Sequence, residues 1–262
     1  MTTVGLSTRT ADAPGALAAI VRMELILLRR NWTAALLAAV TPLLIGFLLA
    51  RAHSDDPVDR VHGVAGAIGM AAVFSVHYHL TAVYATRRQE GVLKRLRAGV
   101  LTDRTILLGT ALGGLVVFAA QAVLLVVFGV VVLGLPVPAQ PLTVVVGLVL
   151  GAAVLAGLSA ALSGLTRNAE AALLTTLPSV SVFLMTPGVL VPVTMVGAGP
   201  ALAGSLLPVG AMTQLVRAGW LGTPAGVDGL LAALPYVGVL VGWLVVAGLN
   251  AQSLVRWDSR QG

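Results

Sequence analysis

The chain has 262 residues, 58% of them hydrophobic and only 10% charged, with a mean hydropathy of +0.98. Soluble domains carry about 25% charged residues, so a water-exposed globule of this size is excluded, and disorder is excluded by the low charge and high hydrophobicity. What remains is an all-α polytopic membrane protein, in which each crossing needs about 20 apolar residues.

Cysteine is absent, which excludes disulfides and thiolate metal sites. Fifteen of the sixteen basic residues are arginine, a bias that points to a GC-rich bacterial genome. The net charge of +6 sits in short loops between apolar runs, the pattern of attraction to an anionic leaflet and not of nucleic-acid binding.

Residues 12–31 are expected to form an interfacial amphipathic helix. Leu17, Val21, Leu25, Leu28 and Trp32 make one apolar stripe, with Arg22 and Arg29 opposite. Span 1 is predicted over 32–50. It starts too far from Met1, and is too long, to be a signal peptide. A polar turn from His53 to Arg60 leads to span 2 over 61–86. A basic segment follows, and then 62 residues without a charge, from 105 to 166. Pro136, Pro138 and Pro141 break that run, giving span 3 over 106–135 and span 4 over 142–165.

Asn168 is a candidate N-cap for span 5, predicted over 170–193 with Glu170 in its first turn and a kink at Pro178. Residues 194–229 are apolar but broken by proline and glycine, and are expected to form extracytoplasmic re-entrant half-helices. A seven-span alternative has residues 196–216 crossing. Span 6 is predicted over 230–251. Thirteen basic residues fall on the side of the N-terminus and three, Arg51, Arg60 and Arg217, on the other. The imbalance puts both termini in the cytoplasm of a bacterial plasma membrane. Arg217 is expected at the solvated outer interface.

Catalytic and nucleotide-binding patterns are missing from the sequence. The only lysine, Lys94, is not in a phosphate-binding loop, so ATP hydrolysis by this chain alone is not expected, and no metal-ligand cluster occurs. No Asp, Glu, Lys or Arg lies inside a predicted span, so uphill transport would need energy from another subunit. An intramembrane enzyme is disfavoured for the same reasons.

His77 and His79 lie along span 2. At i and i+2 they differ by about 200° around a helix, too far apart to share one metal easily. Each either lines a translocation path or is bonded to a neighbouring helix. Gly63, Gly66 and Gly69 form a stripe that could pack closely across a dimer axis. The four glycine pairs spaced by four, such as Gly147/Gly151, are about as many as thirty glycines give at random.

Residues 87–104 carry the most informative pattern. Leu93, Leu96 and Val100 form an apolar stripe, with Arg87, Arg88, Lys94 and Arg95 opposite and Glu90 and Arg97 flanking. A short helix is expected here, ending near Gly99, with Thr102 capping span 3. The run from Arg88 through Glu90, Gly91, Leu93, Lys94, Arg95 and Arg97 to Ala98 resembles the Arg-Glu-x-Gly-Thr-Leu-Lys-Arg-Leu-Arg stretch of membrane subunits of type-2 ATP-binding-cassette exporters. Val92 replaces the family's Thr, and Gly99-Val100-Leu101-Thr102 replaces its Thr-Pro-Leu-Ser. Gly188 to Pro192, and Leu207-Pro208-Val209-Gly210 through Arg217-Ala218-Gly219, are similar to two further stretches of that family.

The resemblance implies six spans, and a coupling helix over 87–98 that contacts a cytosolic ATPase through Arg88, Glu90, Gly91, Leu93, Lys94, Arg95 and Arg97. It also implies a half-transporter of two permease chains, identical or different, with two ATP-binding subunits. ATP and Mg²⁺ would then be held by the partner and no cofactor by this chain. The expected function is export of an amphipathic drug, lipid or secondary metabolite; the alternative is a non-transporting membrane scaffold or immunity protein.

Overall fold

The computed structural model describes residues 44–48, 56–89, 103–166, 170–222 and 226–254. The interfacial helix over 12–31, most of span 1 and residues 90–98 of the coupling helix lie outside them. Among the described residues the fold is all helical, apart from one isolated bridge between Pro187 and Val191.

Helix α1 (Pro57–Ala72), a π-helical turn (Val73–Tyr78) and α2 (His79–Gln89) form one continuous rod. Its start precedes the expected Val61 because the "polar turn" is a cap. Asp56 accepts the Val58 N–H at 2.9 Å, Pro57 fills the first turn where its missing N–H costs nothing, and Asp59 meets the positive end of the dipole. The π-turn has no proline or glycine to announce it. It adds a residue to one turn, with the His79 N–H reaching back to the Phe74 carbonyl.

Helix α3 (Asp103–Val131) stops four residues before the expected Leu135. The chain turns at Gly134, and the Leu135 N–H closes on the Gly129 carbonyl at 3.0 Å. Helix α4 (Pro141–Ser163) starts on a proline and ends at Gly164, close to its expected bounds. Helix α5 (Ala171–Leu184) ends well short of Val193. Pro187 and Gly188 stop it: Gly188 takes φ +90°, open to glycine at little cost, and its N–H bonds to the Val191 carbonyl at 2.7 Å.

Among the described residues of the expected 194–229 region, two short helices precede the last long one: α6 (Ala198–Ser205) and α7 (Pro208–Leu221). Fourteen residues rise about 21 Å, less than the roughly 30 Å of a hydrocarbon core, so neither crosses alone. Helix α8 (Gly226–Leu254) completes the described fold. Among the described residues, four helical segments are long and apolar enough to cross a membrane: Pro57–Arg88, Ala111–Val131, Pro141–Ser163 and Val227–Asn250.

The rod of α1 and α2 is central, with 78% of its most apolar window buried against 17% for α8. Helix α4 packs against α7 on one side and α8 on another, and α1 packs against α7 and α3. Residues 44–48 join this core: Ile45 and Phe47 pack on it, and Phe47 meets Phe128 edge to face at 6.3 Å. Val127, Val131, Val145, Val149, Leu231, Leu234, Val245 and Leu249 are exposed on the outer faces of the long helices, as lipid contact requires.

Candidate functional site

Three polar points tie this apolar bundle together, and each joins segments far apart in the chain. The first is at the Arg88 end. Arg88 closes α2, and its guanidinium is 2% exposed. Nη1 donates to the Ser163 carbonyl at 2.7 Å and Nη2 to the Thr166 carbonyl. Those oxygens belong to the last turn of α4 and the turn after it, where a cation meets the negative end of the dipole; the Ser163 oxygen also accepts the Thr166 N–H at 3.2 Å. The approach of α2 to α4 is lined by small polar side chains: Ser159 and Ser163, four apart on α4, are both buried.

The second point is His77, also 2% exposed, in the π-turn. Its Nε2 lies 2.8 Å from Ser179 Oγ on α5, and its Nδ1 3.3 Å from Ser159 Oγ on α4. Ser179 donates its one proton to the Thr176 carbonyl at 2.9 Å, so Nε2 carries the imidazole hydrogen and Ser179 accepts it. The Ser159 hydroxyl points at the Leu155 carbonyl at 2.6 Å and the His77 carbonyl at 3.0 Å. Phe183 packs edge to face on the ring, with centroids 5.4 Å apart. Two residues earlier in the same π-turn, Ser75 donates to Gln121 on α3. His77 thus joins three helices, while His79 is exposed on the other side of the rod. No metal-holding group of His, Cys, Asp or Glu occurs among the described residues.

The third point is α7. It is buried almost all round, with Thr213, Val216, Arg217 and Trp220, spaced three and four apart, along one side. Val209 and Thr213 meet α1 at Gly69. Met212 and Leu215 fill the space over Gly147 and Gly151 on α4, and Gly219 sits against Val144. From Gly151 to Val144, α7 therefore runs antiparallel to the first half of α4, starting near its middle and ending beside its first turn, which is half-helix geometry. Its C-terminal end is sewn to the α3–α4 loop. Trp220 Nε1 donates to the Pro136 carbonyl at 2.8 Å, and the Gln140 N–H to the Gly219 carbonyl at 2.8 Å. Arg60 reaches the same loop at the Leu133 carbonyl, 3.3 Å away.

Arg217 is not at a solvated interface. It is 7% exposed, donates through Nη2 to Gln214 and lies under the loop at Gly188. The glycine stripe on α1 also serves the chain itself. A methyl group on Gly66 would lie 2.4 Å from the Val189 carbonyl oxygen, so the loop after α5 rests directly on the α1 backbone. Arg88 and His77 thus both fall on the seam between the central rod and α4. Glu90, Gly91, Leu93, Lys94, Arg95 and Arg97 lie outside the described residues. Ser159, Ser179 and Arg217 were missed as site residues. The one signal for Arg217 was its place four residues from Thr213 and three from Trp220, on the face opposite Ala218.

Among curated proteins and solved structures, none matches the chain. The family model described as ABC-2 type transporter matches residues 15–219, which include α1 through α6 and most of α7. This multi-pass chain is a member of the ABC-2 type transporter membrane family, a transporter component that works with a separate ATP-binding subunit.

Proposed function

We propose that the chain is the permease subunit of an ATP-driven exporter in a bacterial plasma membrane, with both termini cytoplasmic. Two permease chains, identical or different, pair with two cytosolic ATPases and move an amphipathic drug, lipid or secondary metabolite outward. Residues 87–98 are the coupling helix, its Arg88 end held in the bundle and its remainder seated in the ATPase.

One observation carries this reading: Arg88, at the base of that segment, is clamped to the last turn of α4. Helix α4 in turn packs along α7 through Gly147 and Gly151. A displacement of residues 87–98 by ATP-driven closure would therefore move α4 and the half-helix α7 with it. The chain supplies a two-state element that the nucleotide biases through its partner, and no chemistry of its own.

The test is co-purification of the full chain with its ATPase. The wild type is expected to bring down an ATP-binding subunit and alter its hydrolysis rate. Glu90→Lys and Arg95→Glu should each abolish that effect while the chain still inserts. Coupling that survives both reversals would overturn the docking assignment, as would labelling of residues 90–98 from the periplasm.

A further inference from the structure

Arg217 has its cationic group buried in the bundle with a single neutral hydrogen-bond partner. Its Nε and Nη1 are fully enclosed and make no hydrogen bond. Nη2 has only the neutral amide oxygen of Gln214. A long arginine at a membrane boundary ordinarily snorkels, keeping its stem in apolar surroundings and its head in water. Here the head itself is enclosed.

An enclosed guanidinium with two idle edges is costly, and its usual solution is a carboxylate or phosphate held by two parallel N–H bonds. No carboxylate of the described residues is paired with it. The buried packing of α7 on both α1 and α4 fixes the residue in place, so it cannot swing out to find one.

The loop at Gly188 covers this group. A methyl group on Gly188 would lie 3.0 Å from Nη1, and Val193 lines the same space. Gly188 and Val189 belong to the loop that rests on Gly66, held by the Gly188 to Val191 and Val189 to Thr186 backbone bonds. Apolar Val189 and Val193 flank this position, and Gln214 supplies a neutral polar neighbour to the guanidinium. A ligand that reached the guanidinium through the bilayer-facing part of the bundle would need an apolar body as well as an acidic end.

We propose that Arg217 is the recognition group for an anionic headgroup, a carboxylate or a phosphate, so that the cargo is an acidic amphiphile. The inference rests on the permease reading above and narrows its substrate class. In the closed arrangement the 185–193 loop covers the guanidinium, and moving it off Gly66 opens the site.

The test is made on the full permease chain alone, in a neutral detergent, so it does not depend on an ATPase partner. Binding of oleoyl-lysophosphatidic acid and of oleate is measured against uncharged monooleoylglycerol, which has the same chain. The wild type should favour the acidic probes by about tenfold or more, the margin of a charge-assisted pair. Arg217→Gln should erase the preference and Arg217→Lys retain part of it.

Arg217→Met controls for folding. Removing an unpaired buried charge should raise the melting temperature while the preference is lost. Equal binding of neutral and acidic probes by the wild type would overturn the proposal, as would a preference that persists in Arg217→Gln and Arg217→Met. Displacement of the probes by micromolar inorganic phosphate would overturn the amphiphile assignment in favour of a free anion. A changed oligomeric mass in Arg217→Gln, with no change in probe selectivity, would overturn it by assigning the guanidinium to another chain. A failure of ATPase recruitment would leave all these outcomes unaffected.

Discussion

The Arg88 guanidinium and the Ser163 carbonyl, 75 positions apart in the chain and 2.7 Å apart in space, bind the end of the central rod to the end of α4. Only a planar fork reaches both the Ser163 and Thr166 oxygens at once. Arg88→Ala should therefore remove two charge-assisted bonds, leaving the Ser163 carbonyl with the Thr166 N–H alone, at about 3 kcal/mol. Arg88→Lys should recover part of that, since an ammonium meets one oxygen well and the other poorly. The melting temperature of the purified chain in detergent gives the order wild type, Lys, Ala. If the clamp also transmits motion, partner ATPase stimulation should fall in Arg88→Lys by more than its loss of stability explains.

Glycines in this chain fall into two physical groups, and alanine substitution should separate them. Gly66→Ala forces a methyl group against the Val189 carbonyl, 2.4 Å away, and backbone cannot yield as a side chain can. Gly69→Ala meets the Thr213 methyl at 2.8 Å, which has somewhat more freedom. Gly238 and Gly242, on the exposed stretch of α8, have nothing within 4 Å. Gly66→Ala should cost most and Gly69→Ala less. Gly238→Ala and Gly242→Ala should be neutral or stabilise by up to about 1 kcal/mol through helix propensity. Thermal unfolding of the four variants checks the ranking, and a Gly66→Ala protein as stable as Gly238→Ala would contradict the packing.

Trp220 is the anchor of the half-helix. It is 1% exposed, its ring lies over Gly129, and its indole N–H holds the Pro136 carbonyl. Trp220→Phe keeps most of the apolar volume and loses the bond, at about 1 kcal/mol. Trp220→Ala opens a cavity between α7, α3 and the α3–α4 loop, at about 3–5 kcal/mol. Limited proteolysis should then cut the 132–140 loop faster in the Ala variant than in the Phe variant.

These sites differ in how far the sequence reveals them. Long apolar runs and the three prolines after α3 locate the four long helices to within a few residues, because the bilayer demands length and proline ends it. Asp56 and Pro57 also mark a helix start, but polar Asp55, Asp56 and Asp59 together with a proline equally fit a turn. Helix α5 extends only to Leu184, because residues 185–193 are as apolar as a span while Gly188 and Pro187 form a loop buried against α1. Hydropathy does not distinguish apolar helix from apolar loop. The glycine stripe of α1 was visible, but its partner was not: a close-packing surface carries no mark of whether the chain's own loop or another chain covers it. The π-turn depends on contacts with α4 and α5, 82 and 102 positions away, and the burial of Arg217 on the loop at Gly188, and no local pattern encodes them.

His77 and His79 make the sharpest contrast, since they are two positions apart and face different surroundings. His77 bridges Ser159 and Ser179 from α4 and α5, and its ring is packed by Phe183. His77→Ala would leave a cavity beside Phe183 and remove the Nε2 donor from Ser179, so it should destabilise by about 2–3 kcal/mol. His77→Asn fills part of the volume and keeps an N–H to offer Ser179, so it should cost less. His79→Ala, at an exposed position, should change stability by less than either. The π-turn adds a second readout. If the His77 bridge is what holds the extra residue in the turn, amide exchange at Val76 to Leu80 should accelerate in His77→Ala beyond the global loss of stability. Exchange that tracks global stability alone would show that helix packing, and not the histidine, sets the turn.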